Sequence, residues 1–246
     1  MFASIRGFTS LQRTPQTDLK LGTVLAFVAG AANAGGFLAV GQYTSHMTGI
    51  LSSVADHAVL GQFALALGGL GALLAFLLGA MTTAWMVNWG LRRQLRSAYG
   101  LPLLLEAALL LVFGLFGAAI GLMTAVFLPL TVVLLCFIMG LQNAVITKIS
   151  RAVIRTTHIT GLLTDLGIEL GKLLYVNRHP DQQPVRANRD RLRVHGQLIA
   201  SFFVGGLAGA LGFKYLGYVS TVPLAAMLLL LVMRPALDDL QRQRLT

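Results

Sequence analysis

The amino-acid sequence predicts an all-α integral membrane protein of about six transmembrane helices, arranged as two inverted three-helix repeats. Hydrophobic residues make up 56% of the 246 positions and charged residues only 11%, against about 45–50% and about 25% in soluble domains. Such a chain would expose large apolar patches in water. Several apolar runs also approach or exceed the ~20 residues that cross a bilayer. An internal repeat completes the argument.

The repeat consists of a Gly-x-x-Asn-Ala segment followed by a His-x-Thr-Gly segment, present once in each half. Its residues are Gly30, Asn33, Ala34, His46, Thr48 and Gly49 in the first copy, and Gly140, Asn143, Ala144, His158, Thr160 and Gly161 in the second. The Asn-to-His spacing is 13 residues in one copy and 15 in the other. A Gly-Gln pair precedes the second predicted span (Gly61) and again the fifth (Gly196), which favours duplication over coincidence.

The first half begins with residues 1–19, which have no long apolar run and predict a cytoplasmic tail rather than a signal peptide. The first repeat covers 20–128, with spans at 21–40, 63–87 and 101–127. Gly35 and Gly36 each cost about 1 kcal/mol relative to alanine inside a helix, so they predict a break or a close helix contact. A helix from His46 to Leu60 would be only ~22 Å long, so the motif segment predicts a re-entrant or broken helix.

The second half, 129–233, starts from a turn at 128–130 and repeats this plan with spans at 130–146, 196–216 and 218–233. Its motif segment is 156–174, a polar cytoplasmic loop covers 175–193, and a basic cytoplasmic tail covers 234–246. Together the two repeats form one membrane domain.

The basic residues decide the predicted topology. Six spans with both termini inside place 18 of the 19 basic residues on the cytoplasmic side, whereas eight spans place seven of them outside. Basic residues favour the cytoplasmic side, so the sequence predicts six spans. The halves are then inverted, and His46 and His158 approach the membrane from opposite sides. This is a recurrent plan of secondary transporters.

The chain resembles the YoaK-like bacterial membrane proteins, small proteins of about six spans and unknown function, over about residues 22–233. The resemblance is carried by NAGGFLAVGQYTSHMTGILS in the first half and MGLQNAVITKISRAVIRTTHITGLL in the second. The family usually has Asp-Ala where this chain has Asn33-Ala34, and often Thr-Gly-Asn where it has Thr48-Gly49-Ile50. These departures remove a carboxylate and an amide. The resemblance implies a membrane protein in which transport is suspected, with no established substrate.

The candidate substrate-binding residues come from the two motifs: Asn33, Ser45, His46, Thr48, Gly49, Asn143, Thr157, His158, Thr160 and Gly161. We expect Thr44, Ser45, Thr156 and Thr157 to cap helix N-termini. Half-helices starting at the histidines would aim their positive ends at an anionic group, and imidazole is the side chain suited to carrying a coupled proton. Gly49 and Gly161 would admit a second backbone. Helix packing for Thr and Gly, and interhelical hydrogen bonds for Asn, remain open alternatives.

Other polar residues rank lower. Glu106 is expected at the membrane interface, and Cys136 as a buried inert thiol. Glu169 and Lys172 have i, i+3 spacing and predict a solvated face with Asp165. No ligand spacing compels a metal site, so we expect no metal and no cofactor.

The sequence therefore predicts a secondary transporter or permease for a small polar or anionic solute in the bacterial inner membrane. A non-transport binding or scaffold role is the alternative. An enzyme is disfavoured, because neither a nucleophile with a base nor a His-Glu-x-x-His motif occurs, and we expect no catalytic residues. The formal charge of +10 lies in loops, so the partners expected are the lipid bilayer and an unknown small solute, with no nucleic acid and a homodimer left open.

Overall fold

The protein was analysed as a computed structural model, which describes residues 14–119, 124–150, 154–178 and 183–243. Within these ranges the chain is helical and contains no strand, which confirms the predicted all-α class. The helices are α1 (Pro15–Val40), α2 (Met47–Val59), α3 (Phe63–Arg92), α4 (Leu101–Ala119), α5 (Thr124–Ile149), α6 (Ile159–Leu174), α7 (Arg189–Leu216), a 3₁₀ helix (Gly217–Ser220) and α8 (Thr221–Gln243).

Four helical stretches of the described chain are long and apolar enough to cross a membrane. They are Pro15–Val40, Phe63–Arg92, Phe127–Ile149 and Arg189–Asp239, and the last contains both α7 and α8. The apolar stretch of α4, Leu101–Leu115, is shorter. The two motif helices α2 and α6 have 13 and 16 residues, or about 20 and 24 Å at 1.5 Å per residue. Both are shorter than the ~30 Å hydrocarbon layer.

Several predicted boundaries were wrong. The third span, predicted to reach residue 127, ends at Ala119, and the turn predicted at 128–130 lies inside α5. Pro129 is only the sixth residue of α5, so it removes just one early intrahelical hydrogen bond. The tail predicted from Arg234 is helical to Gln243. Of the predicted tail 1–19, the first thirteen residues lie outside the described chain, and the helix starts at Pro15, where Thr14 and Thr17 form a capping box.

The helices α1 and α7 pack side by side and run in the same direction. Gln197 of α7 donates to Thr23 of α1, and further along both helices the ring of Phe213 lies against Gly35. Near the middle of the contact the two backbones touch, because a Cβ on Gly30 would overlap the carbonyl oxygen of Phe202. The close approach predicted at Gly35 is therefore confirmed, whereas the alternative of a helix break is wrong, since α1 continues to Val40.

The helices α3 and α5 repeat this arrangement. A Cβ on Gly140 would overlap the carbonyl oxygen of Phe76, and one on Gly79 would overlap that of Phe137. Further along both helices, Lys148 donates to Asn88, so α3 and α5 are also parallel. Each pair therefore joins the first helix of one half to a helix of the other half, with the opening glycine of the repeated motif at the contact.

A second set of contacts runs antiparallel. Gln142 Nε2 of α5 donates to the carbonyl oxygen of Leu25 in α1 at 3.1 Å, while Gly36, nearer the end of α1, faces Leu135, nearer the start of α5. Positions increase along α1 as they decrease along α5, so these two helices run in opposite directions. The helices α4 and α8 are antiparallel in the same way, with Gly100 against Val232 and Gly114 against Thr221.

One hydrophobic core occupies the centre of this packing. Its buried members come mainly from α1, α4, α5 and α8, including Leu25, Leu110, Ile138 and Leu228. At one edge of the core, Asp239 of α8 accepts hydrogen bonds from the backbone N–H and hydroxyl of Ser97, which holds the α3–α4 connection against the end of α8.

Candidate functional site

In the first motif copy, the Asn33 side chain holds the connection between α1 and α2. Its Oδ1 accepts hydrogen bonds from the backbone N–H of Ser45 at 3.2 Å and from the Ser45 hydroxyl at 2.9 Å. Asn33 is only 9% exposed, so this polar anchor lies inside the protein. The motif therefore has a first function that is structural: Asn33 positions the residue that precedes His46.

The second copy builds the same anchor with different chemistry. Asn143 Oδ1 accepts from the Thr157 hydroxyl at 2.9 Å and, more weakly, from the Thr156 hydroxyl at 3.5 Å. Its Nδ2 donates to the carbonyl oxygen of Met139, one turn back in α5. The Oδ1 of Asn143 and one N–H of its Nδ2 are thus used locally.

The predicted capping by the motif hydroxyls is wrong. His46 and His158 are the N-cap residues of α2 and α6, and neither helix has a side-chain cap. The hydroxyls of Ser45 and Thr157 bind asparagine instead of the helix, and the buried Thr44 Oγ1 has no hydrogen-bond partner in the part of the chain that the structure describes. The first-turn N–H groups of α2 and α6 consequently keep their partial positive charge, which favours an anion or another hydrogen-bond acceptor.

The glycine of each His-x-Thr-Gly motif makes room for its own histidine. A Cβ on Gly49 would overlap the His46 ring, and a Cβ on Gly161 would overlap the His158 ring. Another backbone was expected at these glycines, and that expectation is wrong. Each imidazole instead lies over the third residue of the helix that it starts, and both histidines are exposed. Thr48 and Thr160 are likewise exposed in this first turn.

A cavity of about 370 Å³ lies between α1, α6 and α7, and we call it the α1–α7 cavity. Its lining contains no charged side chain: Gly30, Asn33, Ala34, Tyr43, Ile159, Ile199, Phe202, Phe203, Gly206 and Leu207. Asn33 is the amide in this lining, and its Nδ2 has no hydrogen-bond partner among the described residues. Ile159 is the first residue of α6, so the uncapped start of α6 reaches the same cavity.

A second cavity, of about 680 Å³, lies beside α2 and is lined by residues of α1, α2, α3 and α5. His46, Gly49, Ser53 and His57 contribute its polar wall. Tyr43 borders both cavities and stacks on Phe37, with ring centroids 4.6 Å apart.

The structure brings only part of the predicted site together. Asn33 lines the first cavity, and His46 and Gly49 line the second. Ser45 lines neither cavity and donates a hydrogen bond to Asn33. The predicted residues of the second copy line neither cavity. They are Asn143, Thr157, His158, Thr160 and Gly161. Their neighbour Ile159 lines the α1–α7 cavity instead. Sequence reasoning missed Tyr43, Phe202 and Phe203, because an aromatic residue in an apolar run has no distinctive local signal.

Two glutamates differ from their predicted environments. Glu106, expected at the interface, is 0% exposed, and neither of its carboxyl oxygens has a hydrogen-bond partner among the described residues. Glu169, expected on a solvated face, is 3% exposed. It accepts from the backbone N–H of Asn188 at 2.7 Å and from Lys172 Nζ at 2.9 Å. These donors, with Asn188 as the larger cause, lower the pKa of Glu169.

The fold defines an all-helical protein with several stretches that are able to span a membrane. The chain belongs to the family described as "Protein of unknown function (DUF1275)", whose model matches residues 21–234. This agrees with the resemblance to the YoaK-like proteins. No curated protein and no solved structure matches the chain significantly. Among the described residues, no group of three or more His, Cys, Asp or Glu side chains is placed to hold a metal ion.

Proposed function

We propose that this protein is a membrane transporter for a small solute that carries an anionic or hydrogen-bond-accepting group on an apolar body. The observation that carries the proposal is the α1–α7 cavity, which is lined by Asn33 from the first half and Ile159 from the second. A binding site walled by both halves of a duplicated membrane protein is where secondary transporters hold their substrates.

The solute class follows from the lining. Asn33 lines the cavity with an Nδ2 donor that has no hydrogen-bond partner among the described residues, and the uncapped start of α6 adds a second source of positive potential. Both favour an acceptor such as a carboxylate or carbonyl oxygen. The remaining wall is aromatic and aliphatic, including Phe202, Phe203 and Leu207. It contains no cationic side chain, so a body of apolar or aromatic character fits better than a highly charged one.

The transport proposal includes a topology of six crossings with inverted halves, in the inner membrane and with both termini cytoplasmic. The relative directions of α1 and α5 support this topology. If α2 and α6 do not cross, α1 and α5 traverse the membrane in opposite directions; if both cross, α1 and α5 run in the same direction. The antiparallel contacts of Leu25 with Gln142 and of Gly36 with Leu135 favour the first arrangement. The lengths of α2 and α6 favour it too.

Cysteine labelling tests the topology. We would place single cysteines at His46 and His158 in a Cys136→Ala background and label sealed vesicles with a membrane-impermeant thiol reagent. Six crossings with inverted halves require the two positions to react from opposite sides. Reaction of both from one side would refute the inverted arrangement.

Solute binding and flux test the function. The purified protein would be screened by thermal shift against carboxylates with increasingly apolar bodies, from acetate to benzoate and phenylacetate, together with their primary amides. The compound that stabilises the protein most would then be followed into proteoliposomes. We expect saturable uptake, which protein-free liposomes lack. Binding without uptake would replace transport by a non-transport binding role.

A pair of conservative variants identifies the binding group. Asn33→Asp keeps the oxygen that accepts from Ser45 but removes the donor that faces no protein partner, so solute binding should weaken about tenfold or more, as for a lost buried hydrogen bond of about 1.4 kcal/mol or more. Asn143→Asp makes the same chemical change outside the cavity and is the matched control. Equal binding by both variants would remove Asn33 from the site.

A further inference from the structure

The carboxyl group of Glu106 is the polar group in the described core whose position is least explained by packing. Glu106 lies in α4, and its flanking residues one turn away on the same face, Leu103 and Leu110, are fully buried members of the hydrophobic core. Within the described ranges, neither carboxyl oxygen forms a hydrogen bond. Glu169 is also buried, yet its two oxygens receive two donors.

An ionised carboxylate is not tolerated in such surroundings. An isolated charge moved from water into a medium of low dielectric constant pays several kcal/mol or more, and the group takes up a proton instead. Even the neutral acid leaves polar atoms unpaired, a loss of about 1–3 kcal/mol relative to a satisfied group. A leucine or methionine would fill the same space at lower free energy. Unpartnered ionisable side chains inside membrane proteins accordingly mark proton and substrate pathways.

In the part of the chain that the structure describes, no ion pair or hydrogen bond compensates Glu106. The ionisable side chains that the structure describes on the elements packed against α4 are Arg92 of α3, Cys136 and Lys148 of α5, Tyr218 of the 3₁₀ helix, and Arg234, Asp238 and Asp239 of α8. None of them is bonded to Glu106. Asp239 binds Ser97, which lies four residues before the first residue of α4, so this carboxylate is held by the α3–α4 connection.

The position of Glu106 also relates it to a movement of one half of the chain against the other. The helix α4 packs on α5 and α8, which both belong to the second half of the chain. Leu103 and Leu110, on the same face of α4, share one core with residues of α5 and α8, so contacts between the halves contribute to the burial of this face. A rearrangement of one half against the other is the movement that alternating access needs.

We propose that Glu106 is a proton-binding site at the junction of the two halves. The carboxyl group holds its proton while the halves are packed as described here. When the halves part, the O–H bond breaks, the proton passes to water and the electron pair stays on the carboxylate; reclosure requires a proton to be taken up again. The protein then couples a proton to its conformational change, whatever the solute.

Infrared difference spectroscopy on the purified protein in nanodiscs tests the proposal without any solute, so its outcome is independent of the transport proposal. The spectrum of wild type minus Glu106→Gln at neutral pH should contain the C=O band of one protonated carboxylic acid. The matched control is Glu169→Gln, whose difference spectrum should contain only ionised carboxylate bands. Absence of the protonated band from the Glu106 difference spectrum would overturn the proposal.

Transfer into D₂O tests the exchange step. The band should shift as the proton is replaced by a deuteron over minutes to hours, the timescale of slow opening. Dicyclohexylcarbodiimide, an apolar reagent for protonated carboxyl groups, should form one adduct by mass spectrometry that Glu106→Gln abolishes. A band that does not shift during prolonged exchange would identify a permanently locked acid and refute a proton-exchange site. If Glu106→Gln does not fold, Glu106→Asp, with the band displaced rather than lost, serves as the second variant.

Discussion

Replacing Gly30 by alanine should force α1 and α7 apart. A Cβ at this position would overlap the carbonyl oxygen of Phe202 and lie 2.9 Å from the backbone nitrogen of Gly206. Both are backbone atoms within α7, so neither rotates away. Because packed carbon atoms lie about 3.5–4.0 Å apart, the helices must separate by on the order of 1 Å, and a gap of that size forfeits about a quarter to a half of the dispersion attraction of the neighbouring contacts.

The expected loss of stability is about 2 kcal/mol. Overpacking costs typically about 1–3 kcal/mol, and rigid backbone neighbours place this substitution at the upper end. Alanine returns about 1 kcal/mol through its higher helix propensity. For a chain of this size each kcal/mol changes Tm by about 2–4 °C, so Tm should fall by about 4–8 °C. Thermal unfolding in detergent, followed by circular dichroism, measures it.

Two other glycines serve as controls. At Gly206, on the same interface, a Cβ would meet only the Gly30 carbonyl oxygen at 3.8 Å, so Gly206→Ala should leave Tm unchanged or higher. Gly140→Ala, which would overlap the carbonyl oxygen of Phe76, should be as damaging as Gly30→Ala. Equal Tm values for Gly30→Ala and Gly206→Ala would refute the reasoning from backbone contact, and a harmless Gly140→Ala would refute the equivalence of the two helix pairs.

Three further substitutions test the motifs and the α6–α7 connection. Ser45→Ala removes the hydroxyl that binds Asn33 and should lower the stability by about 1 kcal/mol, measured by denaturant unfolding. Gly161→Ala should displace the His158 ring at the start of α6 and lower the Tm, whereas Gly171→Ala, with open space around it, should not. Since the pKa of Glu169 is lowered in the folded state, its contribution is present above the unfolded value of about 4.3 and disappears as the pH falls through the folded pKa. Glu169→Gln should therefore be less stable than wild type at pH 7, and the difference should shrink in acid; a difference independent of pH would contradict this.

The sequence predicts the helical elements well because apolar length is a local property. Composition and run length indicate where helices form, and each predicted span corresponds to a helix of the structure. The boundary between α4 and α5 is invisible to this reasoning, since the residues on both sides of it are apolar. Pro129 was interpreted as a turn residue, but a proline so near the start of a helix removes little hydrogen bonding.

The errors in the candidate site arise from long-range contacts. Ser45 has the right chemistry for a helix cap, but Asn33, twelve residues earlier, takes its hydroxyl. Glu169 has the spacing of a solvated pair with Lys172, but Asn188, nineteen residues later, covers it. In both cases the local sequence pattern is present. The environment of the side chain is set by a partner that lies much further away in sequence than one helical turn.

The two asparagines of the repeat show how duplication and binding diverge. Both anchor the residue before a histidine, but Asn143 donates its Nδ2 to Met139 in its own helix, while the Nδ2 of Asn33 has no protein partner and Asn33 lines the α1–α7 cavity. Asn143 lines neither of the two cavities, so the two copies do not build a symmetric pair of sites. We therefore expect the repeat to bind one solute molecule per chain, not two, when the stabilising carboxylate of the thermal-shift panel is titrated calorimetrically. Two equivalent sites per chain would mean that the motif, and not the cavity, binds the solute.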